Sequence, residues 1–100
     1  SKIVARRLAS AKLKDWLAKN ATSYGFYEVY TDDANRKGFK YEPWHFSYAP
    51  ISKPMLIAYQ KLDIKKIIEQ EKVLGSEYFS DVFIANYLKD NVLDINPDLL

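Results

Sequence analysis

The chain holds one histidine, His45, three residues after a carboxylate, Glu42, in the run Tyr41-Glu42-Pro43-Trp44-His45-Phe46-Ser47-Tyr48. Such a pair can serve hydrolysis. The imidazole can bind zinc, and the carboxylate can take a proton from water activated there. The bare Glu-x-x-His spacing also recurs by chance, and a lone His in an aromatic strand is equally what a hydrogen-bonded core histidine looks like. The spacing sets a condition. In a regular strand, side chains three apart point to opposite faces. Glu42 and His45 therefore converge only if the backbone between them is irregular. Pro43 lies in that interval and cannot donate to a ladder, which favours a bulge or a strand start there.

Composition narrows the chemistry. There is no Cys, so the chain has no disulfide, no Cys nucleophile and no thiolate metal site. One His allows at most one imidazole ligand, whereas a zinc enzyme usually takes three protein ligands, commonly two or three of them His. A self-contained His-rich zinc centre is excluded. Ser10, Ser23, Ser47 and Ser52 lack a His partner motif. Asp32-Asp33-Ala34-Asn35 lacks the Gly and Glu of a calcium loop and reads as a polar loop. Three Gly leave no room for a phosphate-binding loop, and the eight Tyr are spread through the chain as packing residues.

Fifteen Lys and Arg against 13 Asp and Glu give a net charge of +2, too weak a bias for a nucleic-acid partner. The charge is uneven. Lys2, Arg6, Arg7, Lys12, Lys14 and Lys19 face only Asp15 near the start, which reads as a solvated helix face. From Glu77 onward the chain leans acidic. No apolar run approaches the roughly 20 residues of a membrane span, and no signal peptide is visible.

The elements that position the pair follow from periodicity. Ala5, Ala9, Leu13, Leu17 and Ala21 form a stripe at helical period, and Gly25 stops the helix near Tyr24. Phe26 to Tyr30 and Phe39 to Tyr48 are aromatic and β-branched and read as two antiparallel strands joined by the polar run Thr31 to Gly38. Pro50 ends the second strand. Ser52 then caps a helix with Pro54 in its first turn and Met55, Leu56, Tyr59 and Leu62 on one face. Asp63 caps a helix through Ile64, Ile67 and Ile68 that Gly75 stops. Ser76 caps a last helix through Phe79, Val82, Phe83, Tyr87 and Leu88, and Asn96-Pro97 marks the end of order. The fold class is α+β: an N-terminal helix, antiparallel strands of a small sheet, then C-terminal helices. A two-stranded ribbon is marginal without cover, so the piece reads as part of a larger sheet.

The run Tyr41-Glu42-Pro43-Trp44-His45-Phe46 resembles the Glu-Pro-Trp-His signature of the VanY-like zinc D-alanyl-D-alanine carboxypeptidases, bacterial cell-wall peptidases related to the lysostaphin and hedgehog-type zinc fold. Trp16-Leu17, Asn20-Ala21 and Tyr24-Gly25-Phe26 resemble the family's helix-to-strand segment, and the turn ending at Gly38 and the run Ser47 to Ser52 also fit. The likeness covers about Leu13 to Tyr59. It implies that Glu42 is the general base, His45 a zinc ligand, and Trp44 part of the substrate pocket wall. It implies a Zn²⁺ cofactor and a peptidoglycan stem peptide as substrate. Ser47 stands where many relatives carry Arg. The family's other zinc ligands, a His and an Asp in a Ser-x-His-x-x-Gly-x-Ala-x-Asp-like segment, have no counterpart here, and Arg6, Arg7 and Arg36 do not match the family's substrate-gripping Arg.

The resulting expectation is the C-terminal half of a peptidase core over residues 1–62 and a helical extension packed on it over 63–100. The complete domain is a zinc metallopeptidase of the bacterial envelope or periplasm; this chain alone is inactive, with the missing ligands lying before Ser1 or supplied by a second chain. The alternative is a non-catalytic module that binds cell-wall peptides or a protein partner.

Overall fold

The computed structural model describes all 100 residues, Ser1–Leu100. Helix α1 spans Lys2–Asn20, with the Ser1 hydroxyl accepting from the Val4 amide at its start. A 3₁₀ turn, Ala21–Tyr24, follows. Gly25 then closes it at φ 87°, a left-handed value that costs a residue with a Cβ. A Cβ there would also meet the Tyr48 ring at 3.0 Å. The helix stop expected at Gly25 is where the chain turns.

Strands β1, Phe26–Glu28, and β2, Phe46–Tyr48, pair antiparallel, with Phe26 opposite Tyr48 and Glu28 opposite Phe46. The second strand is shorter than the expected Phe39–Tyr48. Residues 39–45 are irregular because Pro43 has no amide to give a ladder and sits instead in a turn. The architecture is α+β, as expected.

Helix α2 spans Ala49–Gln60 and starts ahead of the expected Ser52 cap. Pro50 does not end the strand from outside; it occupies the first turn of the helix, where its missing amide has no partner to lose. Ser52, Leu56 and Tyr59 form the inward face at i, i+4, i+7, whereas Met55 and Leu62 are exposed. Asp63 caps α3, Ile64–Gln70, through the Lys66 amide. Ser76 does not cap the last helix. It begins a 3₁₀ turn, Ser76–Tyr78, and Ser80 caps α4, Asp81–Tyr87, by accepting from the Phe83 amide at 3.1 Å. Three residues separate the two serines, and Ser80 is followed by Asp81, which complements the helix N-terminus. Rings of Phe79, Phe83 and Tyr87 stack along α4 at 5.2 and 6.3 Å.

Asn96-Pro97 does not mark the end of order. The Asn96 amide donates to the Val29 carbonyl and its side chain to the Glu28 carbonyl, at 2.9 and 3.0 Å. Asn96 Oδ1 then caps the closing turn Pro97–Leu99. Leu99 is the most buried residue of the chain, 2% exposed, against Val29 and Ala49. A polar Asn-Pro pair reads locally as a terminus, but here its hydrogen-bonding capacity is spent on β1.

The core is small. Four residues are buried, and none of them lies in α1. Residues four apart on a helix drift by about 40° per step, so the stripe Ala5 to Ala21 winds round α1 and makes no straight face. Ile3, Val4, Leu8, Leu13 and Trp16 stay exposed. The radius of gyration, 17.5 Å, exceeds the roughly 13 Å of a compact domain of this length.

Two stability tests follow from the packing at the chain's end. Leu99→Ala should destabilise the chain by about 2–5 kcal/mol, the range for emptying a buried leucine site, and calorimetry should show a loss larger than that of Leu74→Ala, because Leu74 is 98% exposed. Asp94 accepts from the amides of Lys37 and Gly38. The Gly38 bond holds its carboxyl below the ordinary value, with smaller contributions from the Lys37 amide and the Arg36 and Lys37 charges, against a partial desolvation cost. A lowered folded pKa stabilises the fold above the unfolded value and loses that contribution as pH falls through the folded one. Thermal melts should therefore show a loss beginning below about pH 4 that Asp94→Asn makes shallower.

Candidate functional site

Pro43 provides the local reason for the site. Its fixed φ suits the second position of a turn, and the His45 amide donates back to the Glu42 carbonyl at 3.1 Å. The turn Glu42-Pro43-Trp44-His45 is pinned to the continuation of β1 at both ends. The Glu42 amide donates to the Tyr30 carbonyl, and the His45 carbonyl accepts from the Val29 amide, each at 3.0 Å. The irregular backbone that convergence of the two side chains requires is thus a turn that ends where β2 begins.

The turn brings the pair together. His45 Nδ1 lies 3.1 Å from Glu42 Oε1. With Nδ1–H donating to the carboxylate, the lone pair of Nε2 is free, the arrangement in which a carboxylate orients a metal-binding imidazole. The His45 side chain is 45% exposed and that of Glu42 29%, so both are reachable from solvent. The edge of the His45 ring meets Tyr30 at 5.2 Å and 82°. Trp44 is 73% exposed. Its indole projects from the turn beside the pair rather than into the core.

A cleft of about 170 Å³ lies between α1 and the sheet, lined among others by Lys14, Leu17, Phe26, Tyr41, Pro43 and Phe46. Tyr41 and Pro43 thus back the turn on the α1 side, with Lys14 Nζ 5.9 Å from the centre of the Tyr41 ring. Ser47 faces a different cavity, of about 370 Å³, with Val29, Leu56, Ile95 and Leu99.

The structure adds residues around the site that local sequence does not single out. Arg36 Nε and Nη2 donate to the Thr31 carbonyl, and Nη1 donates to those of Phe39 and Asp94. The guanidinium lies 5.7 Å from the centre of the Tyr30 ring. Gly38 packs against the backbone of Asp90 so closely that a Cβ would meet its carbonyl oxygen at 2.6 Å. In the sequence these residues sit in, or 50-odd residues beyond, an unremarkable polar run. The Asx turn at Asp33, whose Oδ1 accepts from the Asn35 amide, confirms Asp32 to Asn35 as a polar loop.

No group of three or more His, Cys, Asp or Glu side chains converges as a metal site. No helix is long and apolar enough to cross a membrane. No curated protein and no solved structure matches the chain. The family model of the VanY D-alanyl-D-alanine carboxypeptidases matches residues 2–51. That stretch runs from the start of α1 through the Glu42–His45 turn to the first residues of α2, and it is half of the sequence. A match of that extent, containing the turn and both of its paired side chains, makes this chain a member of the VanY D-alanyl-D-alanine carboxypeptidase family.

Proposed function

We propose that the chain carries the C-terminal half of a zinc-dependent D-alanyl-D-alanine carboxypeptidase domain. When complete, the domain hydrolyses the terminal D-Ala-D-Ala bond of peptidoglycan stem peptides in the bacterial envelope. The observation that carries this reading is the contact of Glu42 with His45 at 3.1 Å in a solvent-reachable turn, inside the family match.

These 100 residues do not fit a catalytic zinc ion by themselves. Such an ion takes three protein ligands, and no cluster of three candidate donors exists here. In this reading His45 supplies one ligand through its imidazole. The rest of the set, a His and an Asp, comes from residues outside these 100, in the same polypeptide or a second chain. The chain alone is then inactive.

Glu42 is the proton carrier. Its carboxylate, beside the His45 ring in a solvent-reachable turn, would take a proton from the attacking water and pass it to the leaving amine. Trp44, largely exposed in the chain, would cover the peptide's terminal residues. A second reading, a non-catalytic module that binds cell-wall peptides, is favoured by the single imidazole.

The two readings separate in the complete protein. Glu42→Gln should lower hydrolysis of a peptide ending in D-Ala-D-Ala by about 10²–10⁴-fold, the usual worth of a general base, with zinc content unchanged. His45→Ala should lose zinc. Activity near wild type in Glu42→Gln would remove Glu42 from the base role. Peptide binding without any turnover by the wild type would establish the binding module instead. For the 100-residue chain, calorimetric titration with zinc should show no tight 1:1 complex; a stoichiometric one formed by the monomer would contradict the incomplete ligand set.

A further inference from the structure

We propose that Arg36 is a positioning residue for the Glu42–His45 pair and acts through Tyr30. The role rests on that pair being the site. Tyr30 touches both members. Its carbonyl accepts from the Glu42 amide at 3.0 Å, and its ring meets the edge of His45 at 5.2 Å. The placement of Tyr30 therefore sets the backbone of one partner and the ring plane of the other.

Arg36 holds Tyr30 in turn. The guanidinium lies 5.7 Å from the Tyr30 ring centre, and its fork is fixed by three backbone carbonyls, those of Thr31, Phe39 and Asp94. Thr31 directly follows Tyr30, so the bidentate grip on its carbonyl anchors the chain at the ring's own neighbour. The Phe39 carbonyl closes the 31–39 loop, and the Phe39 ring packs on Tyr30 at 5.3 Å. The Asp94 carbonyl ties the assembly to the C-terminal segment, whose carboxylate accepts from the amides of Lys37 and Gly38 beside it. Several donors in a rigid planar array meet three carbonyls and a ring face together. A lysine, with one compact ammonium, cannot reproduce that set.

The test reads the His45 ring directly. In the 100-residue chain at fixed pH, NMR should show nuclear Overhauser contacts from the His45 ring to Tyr30 and to the Glu42 side chain. Arg36→Ala and Arg36→Lys should both weaken these contacts and move the His45 ring protons toward free-histidine values; Tyr30→Leu should reproduce the effect. Ser80→Ala removes the cap of α4, a bond that takes no part in the Arg36–Tyr30 contacts, and should lower the melting temperature while leaving His45 signals in place. If Arg36→Ala fails to fold, Arg36→Lys decides.

Unchanged His45 contacts in the Arg36 variants, or an equal change in Ser80→Ala, would overturn the proposal. In the complete protein, Arg36→Lys should lower kcat about 10²-fold, the scale of a displacement near 1 Å at a reacting group, with KM and zinc content little changed. Undiminished kcat would also overturn it. A wild-type protein without hydrolysis would defeat the enzymatic reading, while the NMR comparison would still decide whether Arg36 orders the pair.

Discussion

The pairing of Phe26–Glu28 with Phe46–Tyr48 is the contact on which the rest of this structure depends, and a ribbon of two short strands is marginal in water unless something covers it. The cover comes from the far end of the chain. Asn96 satisfies the carbonyls of Glu28 and Val29, and Leu99 fills the space against Val29 and Ala49. Asp94, just before them, accepts the amides of Lys37 and Gly38 from the loop between the strands. One short C-terminal segment thus serves the strand end, the small core and the site loop together.

That arrangement makes the Glu42–His45 turn firm at one edge of a structure that is otherwise loosely packed. The turn is bonded to Tyr30 and Val29, Tyr30 is flanked by Arg36 and Phe39, and Arg36 reaches the Asp94 carbonyl. Side chains able to do chemistry are therefore held by backbone hydrogen bonds rather than by burial, which leaves both reachable from solvent. The opposite side of the molecule differs. Helix α1 buries none of its residues and keeps Leu8, Leu13 and Trp16 exposed.

Much of the local structure is legible in the sequence because it is decided by neighbours a few residues apart. The left-handed turn at Gly25, the caps at Asp63, the antiparallel strands and the need for a break at Pro43 are all of this kind. The misreadings share a cause as well. Aromatic content extended β2 back to Phe39, but strand propensity does not act against a proline and an unpaired backbone. Pro50 and Ser76 each carry two meanings, helix start or strand end, cap or turn, and the choice depends on what packs next to them. The stripe along α1 correctly indicates a helix but not a buried one, since burial needs a partner.

For the candidate site, residue types and short spacing set out the pair and its limits: one carboxylate and one imidazole with a proline between them, no second histidine and no cysteine, inside the stretch that the family model matches. Residue type and short spacing are enough for that, because proline's ring and missing amide act locally. Tertiary structure alone decided what holds the pair in place. Arg36 and Asp94 lie 58 residues apart, and Asn96 lies 68 beyond the carbonyl it satisfies. Nothing in the residues around either end of such a contact specifies the other, because the backbone groups they join are common to every residue and become particular only when the chain folds back.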